Sequence, residues 1–190
     1  MIHNFKLFPI LVKKVTNFLS VDECNIIQNE LLKKESNLKN HSLLPGKSKS
    51  SYLINNILDV LSINLHDKIK VISSSYKKEV GFKMNNQIIN SWFNIQKKGT
   101  ILKEHTHPNS VLSGALYINV DDDSSKIYFH NPNQFLSFCE VEEYKECSFN
   151  WVYIKPEQGS LIIFPSWLKH GSNETKNNTK NRTVISFNIK

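Results

Sequence analysis

The chain has 190 residues, of which 39% are hydrophobic and 22% charged, and these values suit one globular domain while excluding a second full one. The longest apolar run near the start, residues 7–12, contains Pro9, is closed by Lys13 and precedes no small-residue cleavage site. No segment approaches the roughly 20 apolar residues of a membrane-spanning helix. We therefore expect a soluble, cytoplasmic protein with reduced cysteines that does not span a membrane.

The formal charge of +7 is spread over lysine doublets along the chain, with no basic run of five or more residues. This scatter is typical of a solvated surface and disfavours a nucleic-acid partner. The basic residues are 23 lysines and one arginine, Arg182. Lysine suffices for solubility, whereas only the planar guanidinium forms two parallel hydrogen bonds with a carboxylate. Arg182 is therefore a candidate binding residue.

Helical spacing of apolar residues predicts a helix over residues 18–35, with Ser20 and Glu23 forming a capping box at its start. A polar stretch over residues 36–51 contains Pro45-Gly46 and interrupts the pattern. An apolar stripe then predicts one or two further helices over residues 52–76. These helices are expected to pack against a sheet.

After Gly81 the apolar pattern alternates, which is typical of short strands. Two helical regions followed by seven or eight strands predict an α+β chain, a double-stranded β-helix or jelly roll with N-terminal supporting helices. We expect a single domain, 1–190, with mainly helical support in 1–80 and the catalytic core in 81–190. The predicted strands are 88–96, 100–105, 111–120, 126–130, 151–154, 160–164 and 183–189.

His105 and His107 stand two positions apart at the end of a predicted strand, so both imidazoles point to one face. His170 follows 63 positions after His107, where another strand ends. Two neighbouring ligands and one distant ligand indicate a facial metal site, and imidazole suits iron, zinc or copper. The remaining histidines fit no such pattern and are predicted to be ordinary surface or hydrogen-bonded residues: His3, His41, His66 and His130.

Arg182 lies twelve positions beyond His170, at the start of the last predicted strand. A cosubstrate that chelates the metal at one end needs a fixed cation for the carboxylate at its other end. Arg182 is placed to be that cation. The alternative is an ordinary salt bridge on the rim of the barrel.

These residues lie within motifs that together resemble the small 2-oxoglutarate and Fe(II) oxygenases of marine bacteria and phages, members of the prolyl-hydroxylase-like superfamily. The resemblance is close over residues 88–190 and loose at the N-terminus. The motifs are SWFNIQKKG, HTHPNSVLSGALYIN, GSLIIFPSWLKHGS and NRTVISFN.

The resemblance implies that His105 and His170 are Fe(II) ligands and that Arg182 holds the distal carboxylate of the cosubstrate, 2-oxoglutarate. Tyr117 matches a tyrosine that also hydrogen-bonds that carboxylate. Two further residues on inward-facing strand positions are candidates to line the same pocket, Asn94 and Ser113. The resemblance implies a hydroxylase that couples oxidative decarboxylation of 2-oxoglutarate to oxidation of a substrate. The sequence does not identify that substrate.

Two positions depart from the usual motif. His107 replaces the acidic metal ligand, and a three-histidine site carries one fewer negative charge, which should alter the affinity for Fe(II). Many relatives have a serine two residues after the arginine, where this chain has Val184. Ser186 shares the inward face with Arg182 and is a candidate substitute.

Two other functions fit the histidines. A cupin-type dioxygenase would use three histidines without 2-oxoglutarate, and a non-catalytic jelly-roll module would bind zinc or no metal. The sequence contains no known recognition motif, so whether the substrate is a small molecule, a peptide or protein, or a nucleobase is not predicted. The oligomeric state is not predicted.

Overall fold

The computed structural model describes residues 1–4, 6–46, 48–52, 56–172 and 176–190. Within these ranges it contains two α-helices, α1 (Val21–Leu32) and α2 (His66–Val80). Neither has the length and hydropathy needed to cross a bilayer. The β-strands are β1 (Lys13–Val15), β2 (Lys49–Ser50), β3 (Ile88–Lys97), β4 (Leu112–Asn119), β5 (Ile127–His130), β6 (Trp151–Ile154), β7 (Leu161–Pro165), β8 (His170–Gly171) and β9 (Asn181–Ile189).

Helix α1 begins at the predicted capping box. The Ser20 hydroxyl accepts a hydrogen bond from the Glu23 backbone N–H, and the Glu23 carboxylate accepts one from the Ser20 N–H. These two bonds satisfy amides that a helix start leaves without partners. Cys24, Ile27 and Leu31 are buried on one side of the helix, so the prediction of a packing helix is confirmed.

The second helical region is shorter and later than predicted. Residues 57–60 form one 3₁₀ turn, and α2 begins at His66, whose N–H donates to the Asn64 side chain at 3.1 Å. The Asn64 side chain thus supplies an acceptor for the first helical N–H, while the N-cap residue Leu65 makes no side-chain capping bond. Ile54, part of the predicted stripe, lies outside the described residues. Helix α2 ends at Gly81, in the left-handed conformation with φ of 73°.

A six-stranded antiparallel sheet, called here the major sheet, has the order β1-β7-β4-β9-β3-β2. Strand β9 pairs with β3 on one side and with β4 on the other. The strand predictions for β3, β4, β5, β6, β7 and β9 are confirmed to within a few residues. The N-terminal half, predicted as mainly helical, also contributes both edge strands of this sheet, β1 and β2.

A three-stranded sheet, the minor sheet, has the order β6-β5-β8 and faces the major sheet. The strand predicted over residues 100–105 is wrong as a regular strand. His105 makes an isolated two-bond bridge with His170, and Leu102 exchanges hydrogen bonds with the backbone and hydroxyl of Ser172. The segment thus follows β8 in the position of a fourth strand. It does not form a regular ladder, since Lys103 N–H bonds instead to the carbonyl of Leu43.

The two faces of the major sheet bury different sets of residues. Leu112, Leu116 and Ile185 pack toward the helices, whereas Ala115 and Val184 pack toward the minor sheet. Alternation along β3, β4 and β9 therefore sends every second side chain into the space between the sheets. This double-stranded β-helix confirms the predicted fold class and encloses the cavity described next.

Candidate metal and cosubstrate site

Three imidazoles converge between the two sheets. The ring centroids of His105 and His170 lie 4.4 Å apart, and those of His107 and His170 lie 5.1 Å apart. One ligand nitrogen from each of the three residues lies within 4.8 Å of the other two. The backbone bridge between His105 and His170 places their side chains next to each other. His107 follows His105 by two residues in extended chain, so its side chain points to the same face.

The rings of His105 and His170 are held in one orientation. Nδ1 of His105 lies 2.8 Å from the carbonyl oxygen of Lys103, and Nδ1 of His170 lies 2.8 Å from that of Leu168. A carbonyl oxygen only accepts, so each Nδ1 carries the proton and each Nε2 presents a lone pair. Such bonds from the second ring nitrogen fix the tautomer of metal-binding histidines.

Burial keeps the three imidazoles neutral. It lowers the pKa of His105, lowers that of His107 to about 3 and lowers that of His170 well below its ordinary value; the neighbouring imidazoles lower the last two further. Nε2 of His107 lies 3.2 Å from Nε2 of His170. Neutral nitrogens directed at one point match the donor set of a divalent transition metal.

Arg182 lines the same cavity and is 4% exposed. Its Nη1 donates to Oε1 of Gln96, and its guanidinium carbon lies 5.3 Å from the ring centroid of Tyr117. Nε of Arg182 has no hydrogen-bond partner, and no ion pair to a carboxylate involves this arginine among the residues that the structure describes. A salt bridge on the rim is therefore the wrong interpretation.

A buried cation without an anion is costly, by several kcal/mol even after relaxation. An anionic ligand would recover this cost, so the surroundings of Arg182 suit a carboxylate. One cavity of about 520 Å³ joins this site to the three histidines. A dicarboxylate that chelates a metal at one end and meets a guanidinium at the other fits this arrangement. The residues present thus suit both Fe(II) and 2-oxoglutarate.

The other predicted pocket residues differ in placement. Asn94 and Ser186 line the cavity, and Oδ1 of the buried Asn94 has no hydrogen-bond partner. Ser186 lies four positions from Arg182 along β9 and pairs with Trp92 of β3. Because the Trp92 ring lies 5.6 Å from that of His107, Ser186 is nearer the histidines than Arg182 is. Ser113 does not line the cavity; its hydroxyl donates to Asn188 Oδ1 at 2.7 Å and lies 2.8 Å from Ser166 Oγ. Ser113 therefore orients Asn188, which does line it.

The cavity lining also includes residues that were not predicted, among them Gln96, His41 and Tyr52. Gln96 is the polar partner of Arg182 and lies opposite it in the register. It follows Asn94 by two positions, so the alternation that indicated Asn94 could also have indicated Gln96. His41 and Tyr52 come from the N-terminal half and pack edge to face, with ring centroids 5.0 Å apart. No local pattern connects them with the site.

Comparison with known proteins identifies the family. The family model described as "Putative 2OG-Fe(II) oxygenase" matches residues 90–188, just over half of the chain. The chain belongs to this family. The enzyme is an oxygenase that uses Fe(II) and 2-oxoglutarate, and this assignment sets aside both the cupin-type dioxygenase and the non-catalytic module. No curated protein sequence matches the chain significantly.

Solved structures of this class share the fold of the oxygenase. A prolyl-4-hydroxylase from Pseudomonas putida has a TM-score of 0.65 at 11% identity, over 94% of this chain and 92% of that one. HygX from Streptomyces hygroscopicus, solved with nickel and 2-oxoglutarate bound, has a TM-score of 0.62 at 9% identity, over 94% and 82%. The viral collagen prolyl hydroxylase vCPH from Paramecium bursaria Chlorella virus-1 has 0.59 at 14% identity, over 94% of both chains.

Proposed function

We propose that His105, His107 and His170 hold the iron through their Nε2 atoms. The convergence of their nitrogens within 4.8 Å supports this assignment, and so do the Nδ1 bonds to backbone carbonyls. His107 takes the place of the usual carboxylate ligand, so the site carries one fewer negative charge. When bound, iron and 2-oxoglutarate supply the oxidising chemistry, in which dioxygen is consumed and 2-oxoglutarate is decarboxylated to succinate.

Arg182 is proposed to bind the distal carboxylate of 2-oxoglutarate. The cosubstrate assignment rests on one observation, the buried guanidinium that has no anionic partner among the described residues. Its guanidinium is buried with an unpartnered Nε and no ion pair to a carboxylate among the described residues. Gln96 orients the guanidinium by accepting from Nη1. Tyr117, packed against Arg182, is proposed to donate its hydroxyl to the same carboxylate.

Asn94 and Ser186 are proposed to line the cosubstrate pocket between Arg182 and the histidines. Both lie on the cavity face of the major sheet. The Asn94 side chain can donate through its amide nitrogen and has an unused acceptor, Oδ1. Ser113 is proposed to act indirectly, by holding Asn188 toward the cavity.

The substrate is proposed to be a peptide that is hydroxylated at the cavity mouth. Several proteins of similar fold are prolyl hydroxylases, and one was solved with a peptide fragment of hypoxia inducible factor. Tyr52 and Trp92 form an aromatic wall of the cavity, with ring centroids 5.1 Å apart. Apart from Arg182, the charged side chains of the described residues lie outside the cavity lining, so we expect a neutral group at the site of oxidation.

The cytoplasm is proposed as the compartment of the enzyme. Cys139 and Cys147 are exposed and unpaired thiols, and Cys24 is a buried one. Exposed free thiols persist in a reducing compartment.

Anaerobic titration with Fe(II) tests the metal assignment. We expect one iron per chain in the wild type and a large loss of affinity in His170→Ala. His66→Ala is the matched control, because His66 is exposed and pairs with Asp59 outside the cavity. Equal iron binding by wild type and folded His170→Ala would reject the assignment.

A further inference from the structure

The segment that joins β5 to β6, together with most of β6, is unusually exposed. None of residues 131–153, called here the insertion, is buried. A monomer rarely leaves large apolar side chains in one such group exposed, and groups of this kind mark interaction sites. Seven large apolar residues of the insertion are 39 to 81% exposed: Phe135, Phe138, Tyr144, Phe149, Trp151, Val152 and Tyr153.

The charge of the insertion is opposite to that of the remaining chain. It contains four glutamates and one lysine, a net charge of −3, on a protein of net charge +7, so the rest of the chain carries +10. Lys145 pairs with Glu143, and Lys6 pairs with Glu146. The two remaining carboxylates, Glu140 and Glu142, form no ion pair among the described residues. They are available to a basic partner.

The insertion leaves the barrel at the metal end. Ile127 lines the cavity, Phe129 lies opposite His170 in the register, and His130 N–H donates to the carbonyl of Lys169. The chain thus passes the candidate metal ligand and emerges beside it. The ring of Trp151, at the return of the insertion, lies 5.7 Å from that of His130. A partner on this surface would lie next to the cavity mouth.

We propose that the insertion docks a basic polypeptide, lysine- or arginine-rich with apolar residues between, and presents it to the metal site as substrate. The peptide class rests on the proposed function. Exposed aromatics supply the apolar contact, and Glu140 and Glu142 supply the charge complementarity. The same carboxylates repel an anionic membrane surface. A protein surface that binds anionic lipids carries basic residues beside its aromatic side chains.

Binding of two short synthetic peptides tests the proposal. They have equal length and the same apolar residues and differ only in carrying lysine or glutamate. By fluorescence polarisation, we expect the lysine peptide to bind the full chain about tenfold more tightly. Added salt should weaken this binding. Equal affinity for the two peptides would overturn the proposal.

Matched variants locate the binding surface. Glu142→Lys and Phe138→Ser should each weaken binding of the lysine peptide about fivefold. Their controls, Asp123→Lys and Val71→Ser, alter an exposed acid and an exposed apolar residue elsewhere and should leave the affinity unchanged. If the controls weaken binding as much as the insertion variants, the insertion is not the docking surface.

Three further outcomes would also overturn the proposal. One is a dimer that Phe138→Ser dissociates, because a second copy would then cover the surface. Another is preferential binding to phosphatidylcholine vesicles over the lysine peptide. The third is a photo-crosslinker on the peptide that labels the insertion but never the cavity rim at Pro108 or Asn109. Folded His170→Ala should retain peptide binding, so failure of the metal assignment and failure of docking are separable.

Discussion

The guanidinium carbon of Arg182 lies 5.3 Å from the ring centroid of Tyr117, and this arginine forms no ion pair among the described residues. The arrangement places one buried positive charge in the same cavity as three imidazoles that burial keeps neutral. The electrostatic free energy of this buried charge is lowest when an anionic group lies beside the guanidinium.

Arg182→Lys should weaken 2-oxoglutarate binding by about 2 kcal/mol, roughly 30-fold, because an ammonium group cannot form two parallel hydrogen bonds with the carboxylate. Fe(II) affinity should not change. Isothermal titration with 2-oxoglutarate in the presence of a redox-inert metal measures the effect. Lys180→Gln removes an exposed positive charge two residues away and should have little effect. Unchanged 2-oxoglutarate affinity in Arg182→Lys would show that Arg182 does not bind the cosubstrate.

His107→Asp should retain the metal and raise its affinity for Fe(II), because a carboxylate adds a negative charge to the ligand set. His107→Ala should lower the affinity by about tenfold or more. Competition with a chromogenic chelator gives both values. If alanine and aspartate at this position behave alike, and both match wild type, then His107 is not a ligand.

Gly114→Ala should destabilise the fold by about 1–3 kcal/mol, because an added Cβ would lie 2.2 Å from Cζ of Phe187 in the core. Denaturant unfolding measures the change. Gly81→Ala serves as a comparison: its Cβ would meet nothing within 4 Å, but φ is +73°. We expect the Gly81 variant to lose about 1 kcal/mol. A smaller loss at Gly114 than at Gly81 would contradict the packing of β4 against β9.

Iodoacetamide should modify two of the three cysteines in the native protein. Cys139 and Cys147 are exposed, whereas burial raises the pKa of the Cys24 thiol to about 11. The thiolate is the reactive form, so Cys24 should react only after unfolding. Mass spectrometry of native and denatured samples reports the sites. Rapid labelling of native Cys24 would show that α1 does not pack as described.

The sequence predicted those parts of the site that follow from short-range periodicity. His105 and His107 share a face because strand residues alternate, and the same rule aligns Arg182, Val184 and Ser186. The composition singled out Arg182. Its burial and its pairing with Gln96, however, depend on the register of β9 against β3, which short-range patterns do not encode.

The features that were predicted wrongly depend on contacts between residues distant in sequence. Residues 100–105 were predicted as a strand, but their backbone groups bond to Ser172, His170 and Leu43, so no regular ladder forms. His41 was predicted to be an ordinary histidine, yet it lines the cavity because the chain around it packs against this segment. Such placement depends on tertiary contacts of residues distant in sequence.

The most direct test of the central claim is the visible absorption of the protein after anaerobic addition of Fe(II) and then 2-oxoglutarate. We expect a metal-to-ligand charge-transfer band in the wild type, no band in His170→Ala, and a band in Arg182→Lys that requires about 30-fold more 2-oxoglutarate. A folded wild-type protein without this band, or an Arg182→Lys titration identical to that of wild type, would contradict the account.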